Sequence, residues 1–242
     1  MNIKKILANT FSPPVCIFCG KALSFTSDYY VCNDCALTLP YNDGKRCNIC
    51  CAPLDMVSGD LCCIHCKTTK RWFAQNVSRY VYKDKVANAI KQMKFGKGQL
   101  WIADALGKFL AQTVKENYHN VLFDVVLSVP LSKKSLRERD FNQSELIANS
   151  VSAALGVQIR RDILIKPVEI SKQSGLNFEK RKQNIKNAFL VKNDDFIIDK
   201  TILLVDDIYT TGATLNECSR VLRNAGASCV FCATVASTPL YR

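Results

Sequence analysis

The chain has no run of about 18 consecutive apolar residues, so a membrane-spanning helix is not expected. Its opening, Met1-Asn-Ile-Lys-Lys-Ile-Leu-Ala-Asn9, has a basic start but only a three-residue apolar run before Asn9, too short for the apolar region of a signal peptide. Export is therefore not expected, and a cytoplasmic location is. There is no low-complexity run and, cysteine pairs aside, no internal repeat. Acidic charge is scarce: 21 Asp+Glu stand against 33 Lys+Arg, a net charge of +12. That balance points to polyanionic ligands, although it concerns association and not fold. Residues 1–70 hold 7 Lys+Arg and 5 Asp+Glu, which leaves +10 on residues 71–242.

What the chain has in abundance is cysteine, and its placement is uneven. Ten of the thirteen fall between Cys16 and Cys66, in four Cys-x-x-Cys pairs: Cys16 and Cys19, Cys32 and Cys35, Cys47 and Cys50, Cys63 and Cys66. In a reducing compartment this is metal spacing, because one such turn aims two thiolates at an ion and two turns complete a closed tetrahedral site of four cysteines. Two structural Zn2+ sites in tandem zinc ribbons fit. The simplest arrangement joins the first two pairs and the last two, with a crossed pairing or a single occupied site as alternatives. Cys51, Cys62 and His65 read as bystanders. A segment this small buries too little apolar surface to fold alone, so metal is expected to supply its folding free energy. At 242 residues the chain suits one α/β domain plus a smaller module. The expected division is 1–70 for the double zinc ribbon and 71–242 for the α/β domain.

The second concentration of signal is Thr201-Ile-Leu-Leu-Val-Asp-Asp-Ile-Tyr-Thr-Thr-Gly-Ala-Thr214. Ile202 to Val205 is an apolar run that reads as a buried parallel strand ending in Asp206 and Asp207. Apolar residues at Leu215, Cys218, Leu222 and Ala225 then give helical spacing, closed by Gly226. Strand, hydroxyl-rich loop and helix N-terminus together form a phosphate cradle. The two carboxylates would repel a phosphate unless they serve another part of the ligand, and vicinal sugar hydroxyls suit them.

Between these segments the pattern alternates strand and helix. Val77 to Tyr82 reads as an edge strand, and Lys83 to Phe95 as a helix with Val86, Ala89, Ile90 and Met93 on one face. Lys91, Lys94 and Lys97, with Trp72, Phe73, Tyr80, Tyr82 and Trp101, offer a basic and aromatic surface for single-stranded nucleic acid; solvated lysines over core aromatics is the plainer alternative. A second helix carries Trp101, Ala105, Phe109 and Ala111 to Val114. Asp124 to Leu131 reads as another buried strand, its end marked by Ser128 and Pro130, followed by a basic loop containing Lys133, Lys134, Arg137 and Arg139. Asn142, with Glu145 three residues on, starts a helix that carries Leu146, Ile147, Val151, Ala154 and Leu155 inward. Ile163 to Pro167 reads as a short strand, and the segment from Lys172 to Phe189 reads as polar and flexible at its start. Cys229 to Val235 closes a parallel sheet.

The loop of Asp206-Asp207 and Thr210-Thr-Gly-x-Thr214 resembles the phosphoribosyl pyrophosphate (PRPP) signature of type I phosphoribosyltransferases. That likeness implies that Asp206 and Asp207 bind the ribose hydroxyls and that Thr210, Thr211, Gly212 and Thr214 bind the 5′-phosphate, with Mg2+ accompanying PRPP. It also likens the segment from Lys172 to the flap that covers PRPP, and makes Ser128 to Leu131, Lys133 and Lys134 candidates for pyrophosphate contact, an ordinary basic loop after a strand being the plainer alternative. A wider resemblance runs along almost the whole chain. The four cysteine pairs, Lys94-Phe-Gly-Lys97, Arg139-Asp-Phe-Asn-Gln143, Gln173-x-x-Leu176, Arg181-x-x-Asn184-x-x-x-Ala188-Phe189 and the PRPP signature are similar to the competence protein F (ComF) family, whose pattern has Gly where Asp140 stands. The resemblance implies an α/β phosphoribosyltransferase fold with a parallel sheet, preceded by a small Cys-rich zinc-ribbon module. It further implies a part in natural transformation, handling single-stranded DNA beside DNA-uptake machinery, a helicase being one candidate partner. The alternative is an active transferase moving phosphoribose from PRPP to a base or amine. Purine salvage is disfavoured, since the 6-oxopurine enzymes carry a carboxylate at the position of Thr210, and a threonine cannot act as a base at pH 7. No glutamine amidotransferase half is recognised either.

Overall fold

The computed structural model describes residues 14–24, 30–55, 59, 61–96, 100–167 and 187–239. Two short helices come first, α1 (Asn33–Thr38) and α2 (Ile64–Thr68), and each opens on the second cysteine pair of its group: Cys32 and Cys63 are the N-cap residues, with Cys35 and Cys66 in the first turn. The first pair of each group lies on a tight turn closed by a backbone bond of 2.8 Å, from Gly20 N–H to the Cys16 carbonyl and from Cys51 N–H to the Cys47 carbonyl. Both closing residues are left-handed, with φ of +74° and +61°. Cys51 therefore holds the turn position that glycine holds in the other group.

The chain continues through β1 (Asn76–Val81), α3 (Asp84–Phe95), α4 (Leu100–Asn117), β2 (Val125–Ser128), α5 (Lys133–Arg139), α6 (Gln143–Leu155), β3 (Leu164–Ile165), β4 (Leu190–Val191), a 3-10 turn (Asp194–Ile197), β5 (Thr201–Tyr209), α7 (Ala213–Asn224) and β6 (Cys229–Ser237). The main sheet is parallel throughout, in the order β1-β6-β5-β2. As expected, β1 lies at an edge. β3 and β4 form a separate antiparallel pair.

The period-two alternation of buried strands sorts their side chains onto two cores. Val126, Leu203, Val205, Ala233 and Val235 face one side, with Ile90 and Met93 of α3, Leu106 and Leu110 of α4, and Ile147 and Val151 of α6. Val125, Leu127, Ile202, Leu204, Val230 and Cys232 face the other, with Leu215, Cys218 and Leu222 of α7. Each fully buried Leu or Ile here stabilises the fold by roughly 1.5–3 kcal/mol. The cysteine groups divide the same way: Cys16, Cys32 and Cys35 join the first core, and Cys47, Cys50 and Cys63 the second. Phe18 meets the Tyr80 ring edge-on at 5.8 Å, and the Asn76 side-chain amide donates to the Cys50 carbonyl at 3.0 Å, so β1 anchors both groups.

Several expectations are corrected. The apolar run does not stop before the carboxylates: β5 continues through Asp206 and Asp207 to Tyr209, because β6 pairs with it as far as Ser237. The basic stretch after β2 is the helix α5 and not a loop; the Ser132 side chain caps it by accepting from Ser135 N–H at 3.2 Å. Ala154 is exposed, since the buried stripe of α6 runs through Gln143, Ser144, Ile147, Ala148, Val151 and Ser152. Phe73 and Tyr80 are core residues and present no face to a ligand. Lys97, Gly98 and the flap from Lys172 to Lys186, with Gln173, Leu176, Arg181 and Asn184, lie outside the described residues. Among the described residues no helix is long and apolar enough to cross a membrane.

Candidate functional site

The eight paired cysteines gather as two groups of four, Cys16, Cys19, Cys32 and Cys35, then Cys47, Cys50, Cys63 and Cys66, with the sulfurs of each group within 4.8 Å of one another. Tetrahedral zinc with metal–sulfur bonds of about 2.3 Å needs ligand sulfurs roughly 3.8 Å apart. The observed separations of 3.6 Å for Cys19 and Cys32 and 3.7 Å for Cys50 and Cys63 match that edge. Both groups can thus hold zinc. Hydrogen bonds from Cys47, Cys63 and the other crowded thiols push the Cys50 thiol up, so bringing all four sulfurs to the thiolate form calls for a cation. Cys51 instead sits 3.3 Å from the Asn42 amide, and Cys62 turns to the Cys63 carbonyl.

At the carboxyl end of β5 the two acids have separate neighbours. Asp206 Oδ1 accepts from Ser144 Oγ at 2.7 Å and from Asp207 N–H at 2.9 Å. Asp207 Oδ2 is 2.6 Å from Lys94 Nζ, and both side chains are largely buried. Burial, and then the charge of Asp207, push the Asp206 carboxyl up to about 7. Ser144 and Lys94 oppose that shift.

Beyond the acids, Thr210 is exposed and Thr211 partly so. Thr211 Oγ1 accepts from Ala213 N–H at 3.3 Å. Gly212 is the N-cap of α7 with φ +73°, and any Cβ there would run into the Tyr209 ring. Glycine is therefore required twice, by conformation and by space. Thr214 follows in the first turn of the helix, which has no acidic residue there. The first-turn N–H groups and the positive end of this twelve-residue helix adjoin the hydroxyls of the loop.

The stretch from Arg139 to Ser144 links this edge to α3. Arg139 stacks on Phe95 at 5.4 Å and donates to Gln143 Oε1 at 3.0 Å. Asn142 caps α6 by accepting from Ser144 N–H at 3.2 Å and donates to the Val129 carbonyl at 3.0 Å. Asp140 has φ +64°, which explains why a glycine suits that position and why aspartate, a residue that tolerates the left-handed region, can replace it. Ser128 ends β2, the strand beside β5, and Lys133 opens α5, where with Pro130 and Leu131 it lines a cavity bounded by Leu164, Ile165 and Lys192. Sequence reasoning missed Ser144 and placed Lys94 on a nucleic-acid surface. Only a pairing across 62 or 113 positions in the chain identifies them, and no local pattern carries such a signal.

The phosphoribosyl transferase domain family matches residues 142–242. Competence protein F of Haemophilus influenzae is 30% identical over 183 residues, covering 68% of this chain and 79% of that protein. Competence protein ComFC of Bacillus subtilis is 27% identical over 94% of this chain and 95% of its own length. The DNA utilization protein YhgH of Escherichia coli is 28% identical over 90% of this chain and 94% of its length. With a parallel phosphoribosyltransferase sheet and a four-cysteine cluster built against each of its two cores, the chain belongs to the competence protein F family.

Proposed function

We propose that the protein binds PRPP with Mg2+ at the carboxyl end of β5 and handles single-stranded DNA in natural competence. Asp206 and Asp207 accept from the ribose hydroxyls. Thr210, Thr211, Gly212 and Thr214 hold the 5′-phosphate, and Ser128 and Lys133 approach the pyrophosphate. Mg2+, a hard cation that takes oxygen ligands, would find them in the carboxylates of Asp206 and Asp207 and would offset the charge of the pyrophosphate. Zn2+ occupies both four-cysteine groups, in a module spanning 1–70 ahead of a phosphoribosyltransferase domain spanning 71–242. The observation that carries the reading is the pair of adjoining carboxylates, one of them shielded by Lys94, directly ahead of a glycine-capped helix N-terminus.

The DNA part of the reading draws on the +10 excess of residues 71–242, on the names of the relatives, and on one feature of the surface. Phe95 is 74% exposed and carries the Arg139 guanidinium over its ring. An exposed ring flanked by Arg139 and the exposed Lys91 is a stacking platform for an unpaired base.

Thermal denaturation with and without PRPP and Mg2+ tests the ligand. At a hundredfold excess over Kd the stabilisation is about 2.7 kcal/mol, roughly 5–10 °C for a chain of this size. The shift is expected in the wild type and absent in Asp206→Asn with Asp207→Asn. An unmoved wild-type midpoint, or the same shift in the double variant, contradicts the assignment.

A further inference from the structure

The second four-cysteine group and the phosphate loop share a half-buried neighbour. Arg71 Nε and Nη2 are closed off from solvent and, among the described residues, have no hydrogen-bond partner. Burial weighs against its charge, while the Tyr209 hydroxyl and the Cys66 and Cys50 thiols favour it, and the Phe73 ring lies 6.0 Å away. Among the described residues no carboxylate forms an ion pair with it. Two guanidinium nitrogens held away from water with no counter-charge are unfavourable, which directs attention to the thiols beside them. Four thiolates around one divalent ion carry a net charge of −2, and N–H donors beside the sulfurs disperse it.

Tyr209 extends the contact to the loop. Its hydroxyl is also buried, without a hydrogen-bond partner among the described residues, and lies within reach of Cys50, while its ring occupies the space that a side chain on Gly212 would need. The backbone next to Arg71 is tied to the same helix: Trp72 N–H donates to Asn216 Oδ1 at 2.8 Å, and Asn216 Nδ2 donates to the Lys70 carbonyl at 3.2 Å. Among the described residues the first four-cysteine group has no such link. It packs into the opposite core and is met by Lys85 of α3, 3.5 Å from the Cys35 sulfur.

We propose that Arg71 is the outer-sphere counter-charge of a metal ion in the second four-cysteine group and, with Tyr209, a positioning residue for the loop 210–214, so that the second metal and not the first holds the phosphate cradle in shape. This deepens the PRPP reading and rests on it for the identity of the ligand. The metal itself supplies only charge and geometry to the four sulfurs.

Zinc release from the full chain to a chromogenic chelator, together with amide hydrogen exchange of residues 210–214, tests it. In Arg71→Met one of two zinc ions is expected to leave about 10-fold faster or more, as for the loss of other outer-shell partners, while the other keeps its wild-type rate. The loop amides exchange faster in that variant, and Arg71→Lys restores part of both effects. Unchanged release, or equal acceleration of both ions, overturns the proposal. Should Arg71→Met not fold, stepwise chelation of the wild type decides: loop exchange rising with loss of the ion held by Cys47, Cys50, Cys63 and Cys66 supports the proposal, and rising with the other ion, or with neither, overturns it. These readouts need no PRPP. A wild type that loses loop order on chelation but shows no PRPP shift would remove the ligand assignment and leave the role of Arg71 standing.

Discussion

Asp206 carries the sharpest consequence of any single residue. Burial and the adjoining Asp207 raise its carboxyl to about 7 in the folded protein, against about 3.9 for an unperturbed aspartate. Between those values the folded state holds a proton that the unfolded state has lost. The group therefore costs nothing below about pH 4, and its cost grows as pH rises towards 7. Asp206→Asn, which can still accept from Ser144, is expected to raise the thermal midpoint more at pH 8 than at pH 5. The reverse order in thermal scans would contradict the burial argument. Because the ribose hydroxyls and Mg2+ call for the ionised form, PRPP affinity should rise with pH through about 7 in the wild type, which titration at three pH values would check. None of this was legible in the sequence, where Asp206 and Asp207 look equivalent. Ser144 and Lys94 distinguish them, and both come from distant segments.

Among the elements, those with strong local signals were read correctly, whereas the end of β5 and the helix α5 were not. The helix α3 shows its apolar residues at helical spacing, and α6 shows its cap at Asn142 and its left-handed end at Gly156. The two cysteine groups were legible because Cys-x-x-Cys is a local turn motif, although the division of the groups between two cores was not. The end of β5 was misjudged because two aspartates break an apolar pattern, whereas β6 keeps the strand extended through them. The helix α5 was hidden by its charge: seven residues with a single capping serine give little periodicity to read. The junction of β5 and α7 depends on Gly212. Gly212→Ala places a Cβ against Tyr209 and forces alanine into the left-handed region, at a cost of about 1–2 kcal/mol for the backbone alone. The expected outcome is a midpoint lower by several degrees and no PRPP shift, measured in one thermal scan. Wild-type values on both counts would show that the loop does not need this geometry.

Across the whole molecule, one sheet holds a four-cysteine group against each core and gathers acids, hydroxyls and a helix N-terminus at one edge. The surplus of positive charge on residues 71–242 leads to a further expectation. Single-stranded DNA should bind with an affinity that falls steeply and log-linearly with salt, and Phe95→Ala should weaken it by about 1–3 kcal/mol, the usual worth of one stacked base. Fluorescence anisotropy across a salt series measures both, and salt-independent binding or an unaffected Phe95 variant would contradict the surface assigned here. The central claim, however, concerns the edge of the sheet. Crystals soaked with PRPP and Mg2+ test it most directly: the account predicts the ribose hydroxyls on Asp206 and Asp207 with the 5′-phosphate on residues 210–214, and a ligand bound elsewhere, or none at saturating concentration, would contradict it.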